Sequence, residues 1–505
     1  MTDTGRTPRR TPLAMDAEAF RAAGHRLVDD LASRLAAIPA GPVTRDVAPS
    51  ALRGAIGVGG SLPEQGADAG AILERATKLL FEHSLFNQHP RFFGYITAPP
   101  APIGILGDFL ASAVNPNCGS WTLSPAATEI EVETVRWIAE LIGYPAEAGG
   151  VLVSGGNMAN FVGFFAARAA KAGWDVRARG AQGGPALRVY CSAETHTWIQ
   201  KAADLAGLGT EAIRWIPADD AQRMDVGALE RQVAADLAAG DRPCLVVGTG
   251  GSLSTGAVDP LPAIHEVCRR HGLWFHVDGA YGGFAAAAPG APADLRALSL
   301  ADSVAVDPHK WLYAPLEAGC ALVRDPDALR AAFSYHPPYY HFDERATNFV
   351  DFGMQNSRGF RALKVWLMLQ HAGAAGYRAM IDEDMRLSRA MADAVRAHPE
   401  FELLTQALSI TTFRFVPRDL RPRTGEASVE GYLNTLNQAV LDRTQREGEA
   451  FVSNAVIRGR SALRACIVNF HTAAADVEAL PGILARAAAR LDAELRPAEL
   501  KVGGR

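Results

Sequence analysis

The sequence predicts an α/β protein: a large, mainly parallel sheet covered by helices on both faces, followed by a smaller α+β domain. Two observations carry that prediction. From position 151 onward, short apolar runs recur: "VLV" (151–153), "LRVYC" (187–191), "CLVVG" (244–248), "LWFHV" (273–277), "SVAV" (303–306) and "CALV" (320–323). Helix-patterned segments such as 157–171 and 260–271 lie between several of them. Continuous apolar runs, rather than alternating ones, suit strands buried on both faces, and the alternation with helices suits a parallel sheet. The last hundred or so residues differ, with "ITTFRFV" and "LRACIVNF" set among helices, which predicts the smaller domain.

Taken in order, Ala17–Ala37 carries Phe20, Leu27, Leu31 and Leu35 at helical spacing and stops at the Pro/Gly stretch "IPAGPV". Positions 57–70, "GVGGSLPEQGADAG", form a loop by composition, and a second helix is expected over 71–83. An aromatic segment and a Pro-rich turn, "NQHPRFFGYITAPPAP", lead into another helix. Beyond the strand–helix region, helices are expected over 359–373 and 376–398. The expected division is a tail and N-terminal helical segment over 1–90, a large domain over 91–375 and a small domain over 376–505.

Composition narrows the function classes. A chain of 505 residues with 48% hydrophobic and 21% charged residues is an ordinary globular protein. Its net charge of -5 points to neither nucleic acid nor an anionic membrane as a partner. Six scattered cysteines without a CxxC pair suit a reducing compartment, so a cytoplasmic location is expected. The start, "MTDTGRTPRRTPLAMD", lacks the apolar core of a secretory signal and is expected to be a disordered tail.

Ligands of open parallel sheets bind beyond the carboxyl ends of the strands. The first apolar run is followed by "SGGNMAN" and a helix, the second by "SAETHTW" with His196, and the third by "TGGSLSTG". The fourth ends in Asp278 before "GAYGG", and the fifth in "DPHKW", with His309 and Lys310 side by side. Singly these are weak signals, because a lysine after a turn is ordinarily a solvated surface residue. A carboxylate closing a core strand needs a cationic or hydrogen-bonding partner to offset its desolvation. Pyridoxal phosphate accounts for the five strand ends together: an aldehyde for a lysine, a ring nitrogen for a carboxylate, a flat ring to stack on, and a phosphate for a helix N-terminus. Lys310 is assigned to the aldehyde, Asp278 to the ring nitrogen, and His196 and Ala280 to the two ring faces. Gly156, Asn157 and His309 fall to the phosphate.

"HVDGAYGG" and "DPHKW" resemble the signatures of the group II pyridoxal-phosphate decarboxylases, aromatic-L-amino-acid decarboxylase among them. The likeness extends over "HPRFFGYITAP", "SWTLSPAATEIE", "SGGNMANFVGFFAAR", "ETHTWIQKAADLAG", "GAVDPL" and "SRGFRALKVW". It implies a fold-type I, aspartate-aminotransferase-like architecture and a homodimer with active sites at the interface. It further implies that "YHPPYYHFDERATNF" is a catalytic loop, in which Tyr339 (or its neighbour Tyr340) protonates the α-carbon after CO₂ leaves. The family's Gly-Thr-Thr run is Gly251-Ser252-Leu253 here, so leucine replaces a hydroxyl normally near the cofactor while Ser252 is kept among the cofactor-binding residues, and the family's Arg-Arg is Arg358-Gly359. Gly119 stands where aromatic decarboxylases often carry phenylalanine, which would enlarge the pocket.

The expected activity is decarboxylation of an L-amino acid to its amine by Lys310, His196, Asp278 and Tyr339. The pocket candidates Phe93, Tyr95, Ile96, Gly119 and Trp121 form an apolar, aromatic set without an arginine clamp, which favours an aromatic substrate. An acidic or other non-aromatic substrate, or an oxidative aldehyde-forming variant, is the alternative. A nicotinamide-binding reading rests only on "GTGGSL", which grazes the required glycine pattern. The trio His265, Cys268 and His271 suits an amphipathic helix better than a metal site, and no metal is assigned.

Overall fold

The computed structural model describes residues 11–338 and 345–501. Seven strands form the large sheet: β1 (Gly149–Val153), β2 (Leu187–Ser192), β3 (Ile213–Ile216), β4 (Arg242–Thr249), β5 (Trp274–Asp278), β6 (Ser303–Val306) and β7 (Gly319–Val323). Their spatial order is β1-β7-β6-β5-β4-β2-β3. The pairs β2–β3, β2–β4, β4–β5 and β5–β6 are parallel, whereas β7 runs antiparallel to both β1 and β6. The carboxyl ends of β1, β2, β4, β5 and β6 therefore share one edge with the start of β7.

Both faces of the sheet are buried, as the continuous apolar runs require. Val246, Phe275 and Val277 pack with Ile138, Leu261 and Phe284 on one face. Leu245, Val247, Val151 and Val153 pack with Phe164 and Trp198 on the other. Adjacent residues of one strand point to opposite faces, so each strand contributes to two cores.

The small domain holds β8 (Phe401–Ala407), β9 (Ile410–Phe415), β10 (Ser453–Ile457) and β11 (Arg460–Cys466), antiparallel in the order β10-β11-β9-β8. Helices Ala427–Glu447 and Ala474–Leu495 supply Leu436 and Leu480 to a core with Phe413 and Leu463. The stretch Ala362–Ala397 holds the two helices expected over 359–373 and 376–398, separated at Gly373, whose non-helical φ of +64° a glycine tolerates without strain. Its first half lies on the large domain, and its second half reaches the small one.

No apolar run predicts strand β3, a four-residue edge strand that Arg214 interrupts. Likewise β8 and β10 pair at the edges of the small sheet, with mixed burial that gives little apolar signal. The N-terminal helix Ala17–Ala37 buries none of its residues, and Ala69–His83 buries only Thr77. Helix Pro102–Val114 lies on the body through Gly104 and Gly107, and it exposes Leu106, Phe109, Leu110 and Val114.

Candidate active site

The turn after β1 makes the cradle. Ser154 and Gly155 lead into the helix Gly156–Lys171, whose first turn leaves its N–H groups without intrahelical acceptors. Gly155 has φ of +91°, and a β-carbon there would lie 3.2 Å from His309 Cε1. A β-carbon on Gly156 would lie 2.6 Å from Asp307 Oδ2. The glycine pair thus lets the turn after β6 close directly onto this helix end. Upstream, the buried pair Glu131–Arg358 fixes β1: Leu152 N donates to Glu131 Oε1 (2.9 Å), and Arg358 Nη2 donates to Leu152 O (2.7 Å).

The end of β5 carries Asp278, 8% exposed, whose Oδ2 accepts a 2.7 Å bond from the indole Nε1 of Trp198. Ala280 N donates to the other oxygen at 3.2 Å. Two residues earlier on the strand, His276 is fully buried between Ser303 Oγ (2.7 Å) and Asn160 Oδ1 (2.8 Å). Desolvation holds its pKa well below the ordinary histidine value, although Asp278 pulls the other way. His196 lines the same cavity. Burial lowers its pKa as well, and its Nδ1 accepts from Trp198 N at 3.3 Å.

The turn after β6 brings Lys310 Nζ to 3.0 Å from Asp307 Oδ2. Asp307 is 1% exposed, and its Oδ1 has no hydrogen-bond partner among the described residues. His309 Nδ1 donates to Ala318 O at 2.7 Å, which aims Nε2 towards Asp307 at 3.7 Å; burial lowers the pKa of this ring too. Cradle, carboxylates, imidazoles and lysine enclose one cavity of about 470 Å³. An anion cradle, a buried carboxylate and an amine around one space of that size suit pyridoxal phosphate.

The sequence profile of the pyridoxal-dependent decarboxylase conserved domain matches residues 56–416. The chain belongs to the pyridoxal-dependent decarboxylase family. It is 31% identical over 465 residues to an aromatic-L-amino-acid decarboxylase of Bacillus atrophaeus, covering 91% of this chain and 93% of that one. Its structure superposes on mouse CSAD with a TM-score of 0.89 at 29% identity, covering 94% of this chain and 99% of the other. The match to Oryza sativa TDC with PLP and tryptamine has a TM-score of 0.87 at 27% identity, covering 96% and 100%. The large, mostly parallel sheet with its smaller antiparallel domain is the fold of this decarboxylase family, and its cofactor is pyridoxal phosphate.

In this decarboxylase Gly156, Asn157, His196, Asp278, Ala280, His309 and Lys310 all line the one cavity, from four different strand ends. Ser252 does not line it. Its hydroxyl is 2.9 Å from Thr255 Oγ1 inside its own turn, and Gly251 and Leu253 face the space instead. Of the five pocket candidates, Ile96 alone lines the cavity within one chain. Phe93 is buried in the small-domain core, and Tyr95 is exposed. Gly119 does not widen the cavity. A β-carbon on it would meet Asn356 O at 2.3 Å, so its smallness admits the 350–358 segment, and neither it nor Trp121 borders the space. Tyr339 and Tyr340 lie outside the described residues.

Sequence reasoning passed over Asp307, Trp198 and the Glu131–Arg358 pair. Asp307 was in plain view within "DPHK", where a strand-ending Asp-Pro is the ordinary mark of a turn. Trp198 sits 80 positions from the carboxylate it serves. His265, Cys268 and His271 do not converge: Cys268 is packed in the core, and His271 Nε2 meets Glu230 at 2.7 Å.

Proposed function

We propose that this decarboxylase acts on an uncharged, aromatic L-amino acid such as tryptophan, phenylalanine or tyrosine, releasing CO₂ and the amine. The observation that carries this reading is the charge of the cavity wall. Apart from Lys310, no lysine or arginine lines it among the described residues, while Glu194 and Glu317 add negative charge beside the apolar Ile96, Leu253 and Leu316. Arg361 is engaged by Glu317, Nε to Oε1 at 2.8 Å. A substrate with a side-chain carboxylate would lose hydration there and gain no cation.

In this reading Lys310 holds the aldehyde carbon, Asp278 the ring nitrogen, and Gly156, Asn157 and His309 the phosphate. His196 and Ala280 flank the ring. When bound, pyridoxal phosphate supplies the sink for the electron pair left by the departing carboxylate. Asp278 sustains that sink by keeping positive charge on the ring nitrogen, and Trp198 orients Asp278 for the task. Asp307 stabilises the lysine ammonium whenever Lys310 is free. Tyr339 is assigned as the acid that protonates the α-carbon, which makes the product an amine rather than an aldehyde.

A homodimer is part of the proposal. The apolar faces of Pro102–Val114 and the N-terminal helices expose Phe109, Val114, Phe20, Val28 and Leu80, a surface that a second copy would cover. A cytoplasmic location fits the six cysteines, all free and buried. No helix among the described residues is long and apolar enough to cross a membrane.

The deciding experiment scores CO₂ release by the purified holoenzyme over the twenty amino acids, with peroxide assayed alongside. Aromatic substrates should exceed glutamate and aspartate by roughly 100-fold or more in kcat/KM. Preferred turnover of an acidic amino acid would overturn the substrate assignment, and stoichiometric peroxide would replace it with an aldehyde-forming one. Borohydride reduction followed by peptide mapping should place the cofactor on Lys310; a label on Lys364 sinks the site assignment. Light scattering should give twice the chain mass.

A further inference from the structure

We propose that Asp384 is a positioning residue for the reaction: from the small-domain half of Ala362–Ala397, its carboxyl group fixes the backbone of the Lys310 turn through Trp311 and Tyr313. The proposal rests on the assignment of Lys310 as the cofactor-binding lysine. Asp384 is 2% exposed and lies on Ala362–Ala397 beyond Gly373. Its Oδ2 accepts from Trp311 Nε1 at 2.9 Å and from Tyr313 OH at 2.7 Å. These donors are the first and third residues after Lys310. Between them, Leu312 O accepts from Tyr377 OH of the same helix at 3.2 Å.

The segment so held would not keep its shape unaided. Tyr313 has φ of +59°, a left-handed conformation that a bulky side chain adopts only when its surroundings impose it. Its N–H donates to Lys310 O at 3.1 Å, so the conformation of Tyr313 and the position of Lys310 are set together. Ala101 N donates to Tyr313 O at 2.9 Å and completes the restraint.

The same carboxyl group reaches the opposite side of the cavity. The Trp311 indole stacks on Tyr281, with ring centroids 5.0 Å apart and planes 11° apart. Tyr281 lines the cavity three residues after Asp278, and its OH meets Ser409 Oγ, between β8 and β9, at 2.7 Å. By orienting Trp311, Asp384 sets the lysine turn against the aspartate turn, the spacing on which a ring held at both ends depends. An apolar side chain would fill this place without the desolvation cost of a carboxyl group. It could not hold two donors in register.

Asp384→Asn and Tyr313→Phe test the proposal in the holoenzyme. Both donors meet Oδ2, so the asparagine variant can keep them on its amide oxygen only by turning its NH₂ toward the backbone N–H of Asn469, from which the carboxyl group now accepts. The phenylalanine variant leaves the carboxyl in place, removes a single donor, and carries the test alone if the first does not fold. Each should bind one cofactor per chain, trapped by borohydride on Lys310. Each should show altered visible circular dichroism of that cofactor without substrate, and a kcat lowered roughly tenfold with KM within about twofold. The double variant should be little worse than the worse single one. Wild-type dichroism and wild-type kcat per bound cofactor would overturn the proposal while leaving the Lys310 assignment intact. A borohydride label on another lysine would overturn that assignment, and this inference with it.

Discussion

Asp278 and Asp384 are both buried, and each accepts an indole N–H, from Trp198 at 2.7 Å and from Trp311 at 2.9 Å. They differ in what lies beyond. Asp278 stands at the end of a strand with the cavity before it. Asp384 stands in the middle of a helix, and its hydrogen-bond donors are neutral groups of the protein itself. A carboxylate open to a ligand can be matched by the ligand's charge. One closed off by neutral donors bears its desolvation within the fold. In the proposed reading the first acts on the cofactor and the second on the protein around it.

The comparison should break first at Asp278. Asp278→Asn keeps an acceptor for Trp198 but loses the charge, so turnover should fall on the order of 10³-fold while cofactor stays bound. Single-turnover kinetics with saturating cofactor measure this. A loss below tenfold would mean that Asp278 serves the fold, as Asp384 does. A third buried carboxylate sharpens the contrast. Glu131 has what both aspartates lack, a guanidinium partner in Arg358 with Nη1 at 3.2 Å from Oε2. Glu131→Gln leaves that guanidinium buried without its counter-charge, and should cost about 3 kcal/mol or more of stability. Denaturant unfolding of the holoenzyme gives the value. A smaller effect is expected for Trp198→Phe, which removes the donor that orients Asp278. It should lower kcat by roughly tenfold and leave KM for substrate nearly unchanged; a rise in KM alone would contradict the orienting role.

The same contrast explains what was legible in the sequence. Asp278 interrupts an apolar strand, so its burial and its need for a partner follow from its neighbours in the chain. Lys310 and His309 follow a strand stop, and the glycines at 155 and 156 precede a helix. Parallel topology then gathers such strand ends on one edge. Asp384 lies in "MIDEDM", where the pattern predicts a solvated acidic helix face, and nothing local shows that one of its three acids turns inward. Glu131, Arg358 and Trp198 are hidden for the same reason, because their partners come from remote parts of the chain. Gly119 shows the opposite failure. A missing side chain suggested an open pocket, whereas the space is taken by the backbone of residue 356. Six of the seven strands of the large sheet announced themselves as buried apolar runs, and edge strand β3, with Arg214 in it, did not.

The last expected effect concerns pH. Burial raises the pKa of Asp384 to about 7, against the opposing pull of its hydrogen bonds from Tyr313, Trp311 and the backbone of Asn469. Glu383 on the same helix pushes the same way as burial, and the titratable groups facing it from other elements, Tyr313 and Cys466, are neutral at that pH. In the unfolded chain the carboxyl titrates near its ordinary value of about 4. Between about 4 and 7 the folded state therefore holds a proton that the unfolded state has released. Stability must fall as pH rises through that window and level off above it. Asp384→Asn carries no titrating proton, so it should lack this component. Melting temperatures of wild type and variant, compared from pH 5 to pH 8, should converge or cross as pH rises, with wild type losing the more. Between pH 5 and pH 8 the differential effect is roughly 2.5 kcal/mol. Parallel curves would mean that Asp384 is already ionised at pH 5, with Trp311, Tyr313 and Asn469 supplying enough hydrogen bonding to hold the charge. Asp384 would then be the equal of Asp278 in charge, and would differ from it only in having no ligand to face.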